Sequence, residues 1–323
     1  MVDRDRIIEM LEPDWSLMLG LIQDALRSDV PLLEKTNDII MANKGKLLRP
    51  MLSLLMARAC GKSNEDSLRY AAASEMLHNA TLMHDDVADD STERRGRPSV
   101  MSLLGPNSAV LVGDFWLAKA VEMVLSARRN NAVVKLFSKT LTDLAEGEML
   151  QLQKASTADT EEEEYYRIIY CKTASLFEAA CVSAAMSVDG PEHYCTAACE
   201  YARNAGIAFQ IKDDILDYAG DTALGKPVGV DIKEQKITLP LLGALASSPR
   251  GQEVRRMIKE IHNHPEYCSA VREFVMERGG IEYASARLDE YIAGAEVALS
   301  PLPDTPEKEM LVELARFNAF RKV

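Results

Sequence analysis

The pattern Asp-x-x-x-Asp with a second aspartate after the first occurs twice in this chain, as Asp85, Asp86 and Asp89 and again as Asp213, Asp214 and Asp217. In each copy the outer carboxylates are four positions apart. On a helix of about 3.6 residues per turn they share one face, one turn apart, with the middle aspartate about 100° round from the first. Like charges at that spacing repel and weaken a bare helix, so a positive partner is expected between them. Hard oxygen ligands with room for water suit Mg²⁺, which is usually held by one or two carboxylates together with substrate phosphates. Arg94, Arg95 and Arg97 follow the first copy directly, and planar guanidinium forks match phosphate oxygens. Taken alone, the stretch from His84 to Ser99 reads equally well as a diphosphate site or as a solvated acidic turn. The second copy favours the former. Apolar Phe209, Ile211, Ile215 and Leu216 flank it, and a buried carboxylate cluster without partners is expensive. Gln210 shares its face.

The two clusters lie 128 positions apart, and they must converge to act on one diphosphate. No Pro/Gly/Ser-rich linker separates them. The expectation is therefore one domain over residues 1–323, against a length prior of about two domains of ~150 residues. Helical periodicity runs through nearly every segment and strand-like alternation is scarce, so the fold class expected is all-α. Helices are predicted over residues 3–26 with a break at Pro13, 30–41, 64–88, 106–126, 131–155 and 193–218, with four or five more after 237. In the helix over 131–155, Val133, Val134, Phe137, Leu141, Leu144 and Leu152 are expected to face inward.

The net charge of −13 argues against general nucleic-acid binding, which needs a basic surface. No run of ~18 apolar residues stands out, so no transmembrane helix is expected; the nearest approach, Ala109 to Leu125, carries Asp114, Lys119 and Glu122. The start, MVDRDRIIEML, lacks the apolar segment of a signal peptide. Six cysteines without a CxxC pair read as reduced structural residues of a cytoplasmic protein. Gly220 to Lys226 fits GxxxxGK, but Pro227 stands where a P-loop has Ser or Thr and no strand precedes it, so an ATP site is rejected.

Four further stretches join the aspartate motifs: GKLLRP at Gly45 to Pro50, EMLHNATLMHDD at Glu75 to Asp86, YCKTASLF at Tyr170 to Phe177, and GKPVGVDIKEQKITLPLL at Gly225 to Leu242. By themselves, Lys46 and Arg49 are either anion ligands at a helix start or a solvated basic turn. His78 is either a phosphate contact or a structural histidine, and Lys172 and Thr173 are either functional or the polar edge of an apolar helix. Together, and in this order from about residue 40 to 245, the stretches strongly resemble the trans-isoprenyl diphosphate synthases, or polyprenyl synthetases. The resemblance implies a single-domain isoprenoid-synthase-type helical bundle around a central active-site cavity, usually a homodimer. It implies a Mg²⁺-dependent head-to-tail condensation of isopentenyl diphosphate with an allylic diphosphate, with about three ions around the bound diphosphate.

Carried onto this chain, the resemblance makes Asp85, Asp89 and Asp213 metal ligands, assisted by Asp86, Asp214 and Asp217. Lys46, Arg49, His78 and Arg95 match the isopentenyl diphosphate ligands. Arg94, Lys172, Lys226 and Lys236 fall on the allylic diphosphate, the last two carried by a lid read from the Gly-rich loop over residues 219–235, Lys236 directly following it. Thr173 and Gln210 would turn oxygen dipoles toward the allylic cation. Glu146 and Glu148 are read as structural or supporting groups. Ala80 and Thr81, five and four before Asp85, are too small to stop a growing tail, which implies a product beyond farnesyl with the next barrier near Phe137. Product handover at a membrane is compatible with this. A geranylgeranyl or farnesyl diphosphate synthase is the alternative; a non-catalytic prenyltransferase subunit or a class I terpene cyclase conflicts with two intact aspartate motifs and with GKLLRP.

Overall fold

The computed structural model describes residues 4–43, 45–220, 229–246 and 248–320. Helices dominate. α1 (Arg4–Leu11) and α2 (Asp14–Ala25) divide at Pro13, and α3 (Pro31–Ala42) starts on a proline, whose missing N–H is no loss in a first turn. α4 (Leu48–Cys60) and α5 (Glu65–Ala88) follow, then a small hairpin of β1 (Glu93–Arg94) and β2 (Arg97–Pro98). α6 (Val100–Leu104), α7 (Pro106–Leu125) and α8 (Asn130–Thr157) come next. α9 (Glu162–Ile169) continues through a π turn at Tyr170–Ala174 into α10 (Ser175–Ser187). α11 (Glu192–Ala219), α12 (Val230–Lys233), α13 (Leu239–Ala246), α14 (Gly251–Lys259), α15 (Tyr267–Glu277), α16 (Gly280–Ala298) and α17 (Pro306–Phe320) complete the chain.

α5 is the axis of the bundle. Asn64 caps it, accepting from the N–H groups of Asp66 and Ser67, while the Ser67 hydroxyl oxygen in turn accepts from the Asn64 N–H. Such reciprocal caps satisfy donors that a helix start leaves open. Ala71, Ala72 and Ala73 are fully buried, and α4, α7 and α10 pack closely around them. Apolar residues of these helices, among them Leu54, Tyr70, Trp116 and Phe177, form one core. A second core joins Ile211, Tyr218, Leu241 and Leu288 of α11, α13 and α16. α11 bridges the two: Tyr201 near its start lies in the first and Ile215 near its end in the second.

Four features depart from expectation. The hairpin and the π turn are two of them. Leu152 faces out, 54% exposed, rather than inward. Among the described residues, the stretch long and apolar enough to cross a membrane is Glu162–Ser187, not Ala109–Leu125, and 78% of its apolar window is buried inside the fold. It is packed as a core helix. All six cysteines are free.

Candidate active-site cleft

Both aspartate motifs end their helices: Asp85, Asp86 and Asp89 close α5, and Asp213, Asp214 and Asp217 close α11. A helix C-terminus already carries partial negative charge, so carboxylates there raise the demand for a cation. The demand is visible in the ionisation of the side chains. Burial pushes the Asp85 carboxyl up to about 6, with Lys172 opposing and Glu148 and Asp89 reinforcing. Asp89, though on the surface, is raised by partial desolvation among its neighbours, opposed by Lys236 and Lys172. Asp217 is raised by burial against the N–H bonds it receives, and Asp231 rises to about 7, chiefly through burial and then through Asp217. Lys236 acts on Asp89 of the first motif and on Asp217 and Asp231 beside the second. The two motifs thus converge on one cationic side chain.

The middle aspartates do something else. Asp86 is 3% exposed, and Arg94 donates to its Oδ1 from Nε at 2.8 Å and from a terminal nitrogen. The turn between the strands supports this pairing: Arg95 (φ 55°) and Gly96 (φ 74°) are both left-handed, the geometry of a tight hairpin turn. Asp214 is also 3% exposed. Its Oδ2 accepts from the Tyr165 hydroxyl at 2.7 Å and its Oδ1 from Gln210 Nε2 at 2.9 Å; Gln210 Oε1 accepts from the Thr173 hydroxyl at 2.9 Å. Asp217 holds the returning chain, accepting from the N–H groups of Val230 at 3.0 Å and Asp231 at 3.2 Å.

The π turn carries Lys172 and Thr173, and two glycines let neighbouring helices close on it. A Cβ on Gly147 of α8 would lie 2.6 Å from Cys171 Cβ, and one on Gly206 of α11 would lie 2.6 Å from Ala174 Cα. π turns are rare and concentrate at functional sites. The approach of α8 brings Glu148 to 2.5 Å from Lys172 Nζ.

Around this frame lies a cleft of three adjoining cavities. The first, about 610 Å³, is lined by Lys46, Arg49, His78 and Arg95, with Arg4, Glu75 and Phe209. Arg49 Nε is buried without a hydrogen-bond partner. Burial lowers that guanidinium to about 10, the Glu75 carboxylate opposing; the cation stands 5.2 Å over the Phe177 ring. Burial, then Arg49, Arg95 and Arg94, hold His78 well below its ordinary value, so it is neutral. Arg95 reaches over Gly45, where a Cβ would meet its guanidinium carbon at 2.4 Å. The second cavity, about 480 Å³, shares Arg49 and His78 with the first and adds Asp85, Glu148, Lys172 and Thr173 beside an apolar wall of Leu82, Leu141, Leu144 and Leu176. The third, about 190 Å³, shares Lys172 and Thr173 and adds Tyr165, Gln210, Asp214, Asp231 and Lys236.

The structure therefore gathers most residues singled out from the sequence. Thr81 lines the second cavity. Ala80, 1% exposed, packs into the core instead, and Phe137 is buried without reaching the cavity wall. Lys226 lies outside the described residues. Glu75, Tyr165 and Asp231 carry no site role in the sequence reading, and Glu148 only a structural or supporting one. Glu75 and Asp231 fall within the quoted motifs, whereas Tyr165 carries no signal at all. Among the described residues no three His, Cys, Asp or Glu side chains form a ready-made metal cluster. The half-buried carboxylates at two helix C-termini nonetheless suit a hard cation whose remaining ligands are water and phosphate oxygens.

A family description, polyprenyl synthetase, matches residues 30–275. The chain is 38% identical over 319 residues to octaprenyl diphosphate synthase of Escherichia coli K12, covering 98% of each chain. A polyprenyl synthase from Caulobacter crescentus CB15, solved with calcium and isoprenyl diphosphate, superposes with a TM-score of 0.91 at 35% identity, covering 99% of this chain and 98% of that one. A decaprenyl diphosphate synthase from Rhodobacter capsulatus superposes with a TM-score of 0.92 at 34% identity, covering 98% of each.

Proposed function

The chain belongs to the polyprenyl synthetase family, and from that premise we propose how its own residues carry out trans-prenyl transfer to a product longer than farnesyl. The protein is a polyprenyl diphosphate synthase. Isopentenyl diphosphate sits in the first cavity, its phosphates on Lys46, Arg49, Arg95 and neutral His78. The allylic diphosphate lies at the junction of the second and third cavities, its tail along Leu141, Leu144 and Leu176 past Thr81. Asp85, Asp89 and Asp213 would hold Mg²⁺, about three ions with the bound diphosphate, and the bound metal would supply Lewis-acid stabilisation of the departing diphosphate. Asp86, Asp214 and Asp217 support this set from behind.

Lys172, Lys236 and Arg94 meet negative charge where it develops as the allylic C–O bond breaks; Lys226 is assigned to the same task. Thr173 and Gln210 turn oxygen dipoles to the allylic cation. The isopentenyl double bond attacks that carbon, a new C–C bond forms, and the proton lost from isopentenyl passes to the released diphosphate, so no protein base is needed. Excluding water protects the cation.

The single observation that carries this reading is the continuity of the cleft: Arg49 and His78 are common to the first two cavities, Lys172 and Thr173 to the last two. It sets an anion pocket without metal ligands against a carboxylate-rich pocket across an apolar gap. The same continuity, built from helices of both halves of the chain, supports one domain over residues 1–323. A homodimer is supported by the exposed heptad-spaced stripe of Leu111, Ala118, Val121 and Leu125 on α7, a seam that a second copy would cover. Six free cysteines fit a reducing, cytoplasmic setting, with product handed over at a membrane.

The test is product length. The protein is incubated with Mg²⁺, labelled isopentenyl diphosphate and dimethylallyl, geranyl or farnesyl diphosphate in turn, and the dephosphorylated products are resolved. Products beyond farnesyl are expected. A limit at farnesyl would place the floor of the cavity at Thr81, and no incorporation with any primer would refute the catalytic reading.

A further inference from the structure

We infer that Tyr165 is a positioning residue for prenyl transfer, acting through Asp214 and Gln210 to fix the direction in which the Thr173 hydroxyl points. The inference rests on the prenyl-transfer reading and goes one step deeper into the same site.

Tyr165 is 2% exposed, at the margin of the third cavity. Its hydroxyl donates to Asp214 Oδ2 at 2.7 Å, and Gln210 Nε2 donates to Asp214 Oδ1 at 2.9 Å. Both carboxylate oxygens of Asp214 are thereby held by protein donors. The consequence runs outward. With its NH₂ committed to Asp214, Gln210 can present only its carbonyl to Thr173, and the Thr173 hydroxyl donates to it at 2.9 Å. Thr173 lines the second and third cavities. Once its hydrogen is spent on Gln210, it has only lone pairs to offer there. A lone pair is the end of the dipole that an allylic cation needs. Were the Gln210 amide free to turn over, its NH₂ would face Thr173, the hydroxyl would have to accept, and its hydrogen would swing into the cavity. That reverses the sign of the dipole at the reacting carbon. The network therefore decides a sign that the identities of Thr173 and Gln210 leave open.

The backbone explains why a tyrosine on α9 can reach this far. Tyr165 and Thr173 are eight positions apart, about 80° round a regular α-helix. The π turn between them takes up one extra residue, so seven regular steps remain and the two side chains come within about 20° of one face. That face meets α11, whose close approach at Gly206 delivers Gln210 and Asp214 on the next two turns.

The test is Tyr165→Phe, which removes the hydroxyl and keeps the ring. The variant should melt within a few degrees of the unmodified protein and bind inorganic diphosphate with Mg²⁺ equally well by calorimetry. Its kcat should fall about tenfold to a hundredfold, as loss of a hydrogen bond to a charged group implies, at unchanged KM for isopentenyl diphosphate. A larger share of the allylic diphosphate should end as free alcohol through capture of the cation by water. The double variant Tyr165→Phe/Thr173→Val should be no slower than Thr173→Val alone, because both act through one hydroxyl. Turnover and product partition equal to the unmodified protein, or rate losses that multiply in the double variant, would overturn the inference. If Tyr165→Phe fails to fold, Asp214→Asn carries the same test, since its amide can turn over and release Gln210. A folded Asp214→Asn with normal turnover and partition would overturn it equally. Absence of any prenyl transfer by the unmodified protein would instead overturn the underlying reading, and this inference with it.

Discussion

The two aspartate motifs are near copies in sequence and opposites in surroundings. In both, the middle aspartate is 3% exposed and held by protein donors. Asp86 is held by a cation, Arg94, whereas Asp214 is held by the neutral donors Tyr165 and Gln210 and sits well above the usual carboxylate range because of burial. The last aspartates differ as well. Asp89 is exposed at the end of α5, while Asp217 binds two backbone N–H groups and pins the start of α12. Only the leading residues, Asp85 and Asp213, are half-buried at matching places in their motifs. A repeated motif on a repeated helix end therefore yields one shared role and two private ones. The neighbours each copy packs against, not its own spacing, divide the work.

This comparison can be broken at its strongest point first. Asp85→Ala and Asp213→Ala should each lower kcat about a thousandfold or more, as expected for the loss of several kcal/mol of metal-borne stabilisation, with melting temperatures close to that of the unmodified protein. Near-normal turnover in either would end the parity of the leading residues. Next, Mg²⁺ with inorganic diphosphate at about a hundred times its dissociation constant should stabilise the protein by about 2.7 kcal/mol. Differential scanning fluorimetry should show that gain lost in both variants and absent with diphosphate alone.

The last aspartates should separate in stability. Asp217→Ala strips the acceptor from two N–H groups and should cost about 1–3 kcal/mol in urea unfolding, whereas Asp89→Ala should stay within about 0.5 kcal/mol. Equal costs would mean that Asp217 does not pin α12. The smallest contrast is the sharpest. Asp86→Asn gives up a charge-assisted pair with Arg94 and should cost about 1 kcal/mol. Asp214→Asn leaves Gln210 and Tyr165 each a hydrogen-bond partner in either orientation of its amide while relieving a buried carboxylate, so its stability should be unchanged or slightly higher. The reverse order would refute the assignment of their partners.

How much of this was legible differs from helix to helix. α5 and α11 could be placed within a residue or two, because an apolar period of 3.6 reports which face is buried whatever it is buried against. The break at Pro13 follows from local backbone chemistry. Leu152 was misread because it lies at the edge of the inward stripe of α8: at that level the helix turns Gln151, Lys154 and Ala155 to the third cavity and leaves Leu152 outside. Ala80 and Thr81 are adjacent, and spacing from Asp85 did not say which one meets the cavity. The packing of α5 turned Ala80 into the core and Thr81 to the wall. Tyr165 was invisible because its partner lies 49 positions away on another helix and nothing in its own segment marks it.

By itself the sequence determined the all-α class, the identity and spacing of the carboxylates, and the cationic set of Lys46, Arg49, Arg94, Arg95 and Lys172. Each of these depends on interactions within a few residues, where helix geometry converts position into direction. Only the tertiary structure decided which carboxyls burial raises, that Asp217 pins the start of α12 and that Asp214 receives Gln210. Ionisation and hydrogen-bond polarity depend on burial and on groups brought in from distant segments, and at Gly147 and Gly206 it is the approach of whole helices, to within a missing Cβ, that brings those groups together.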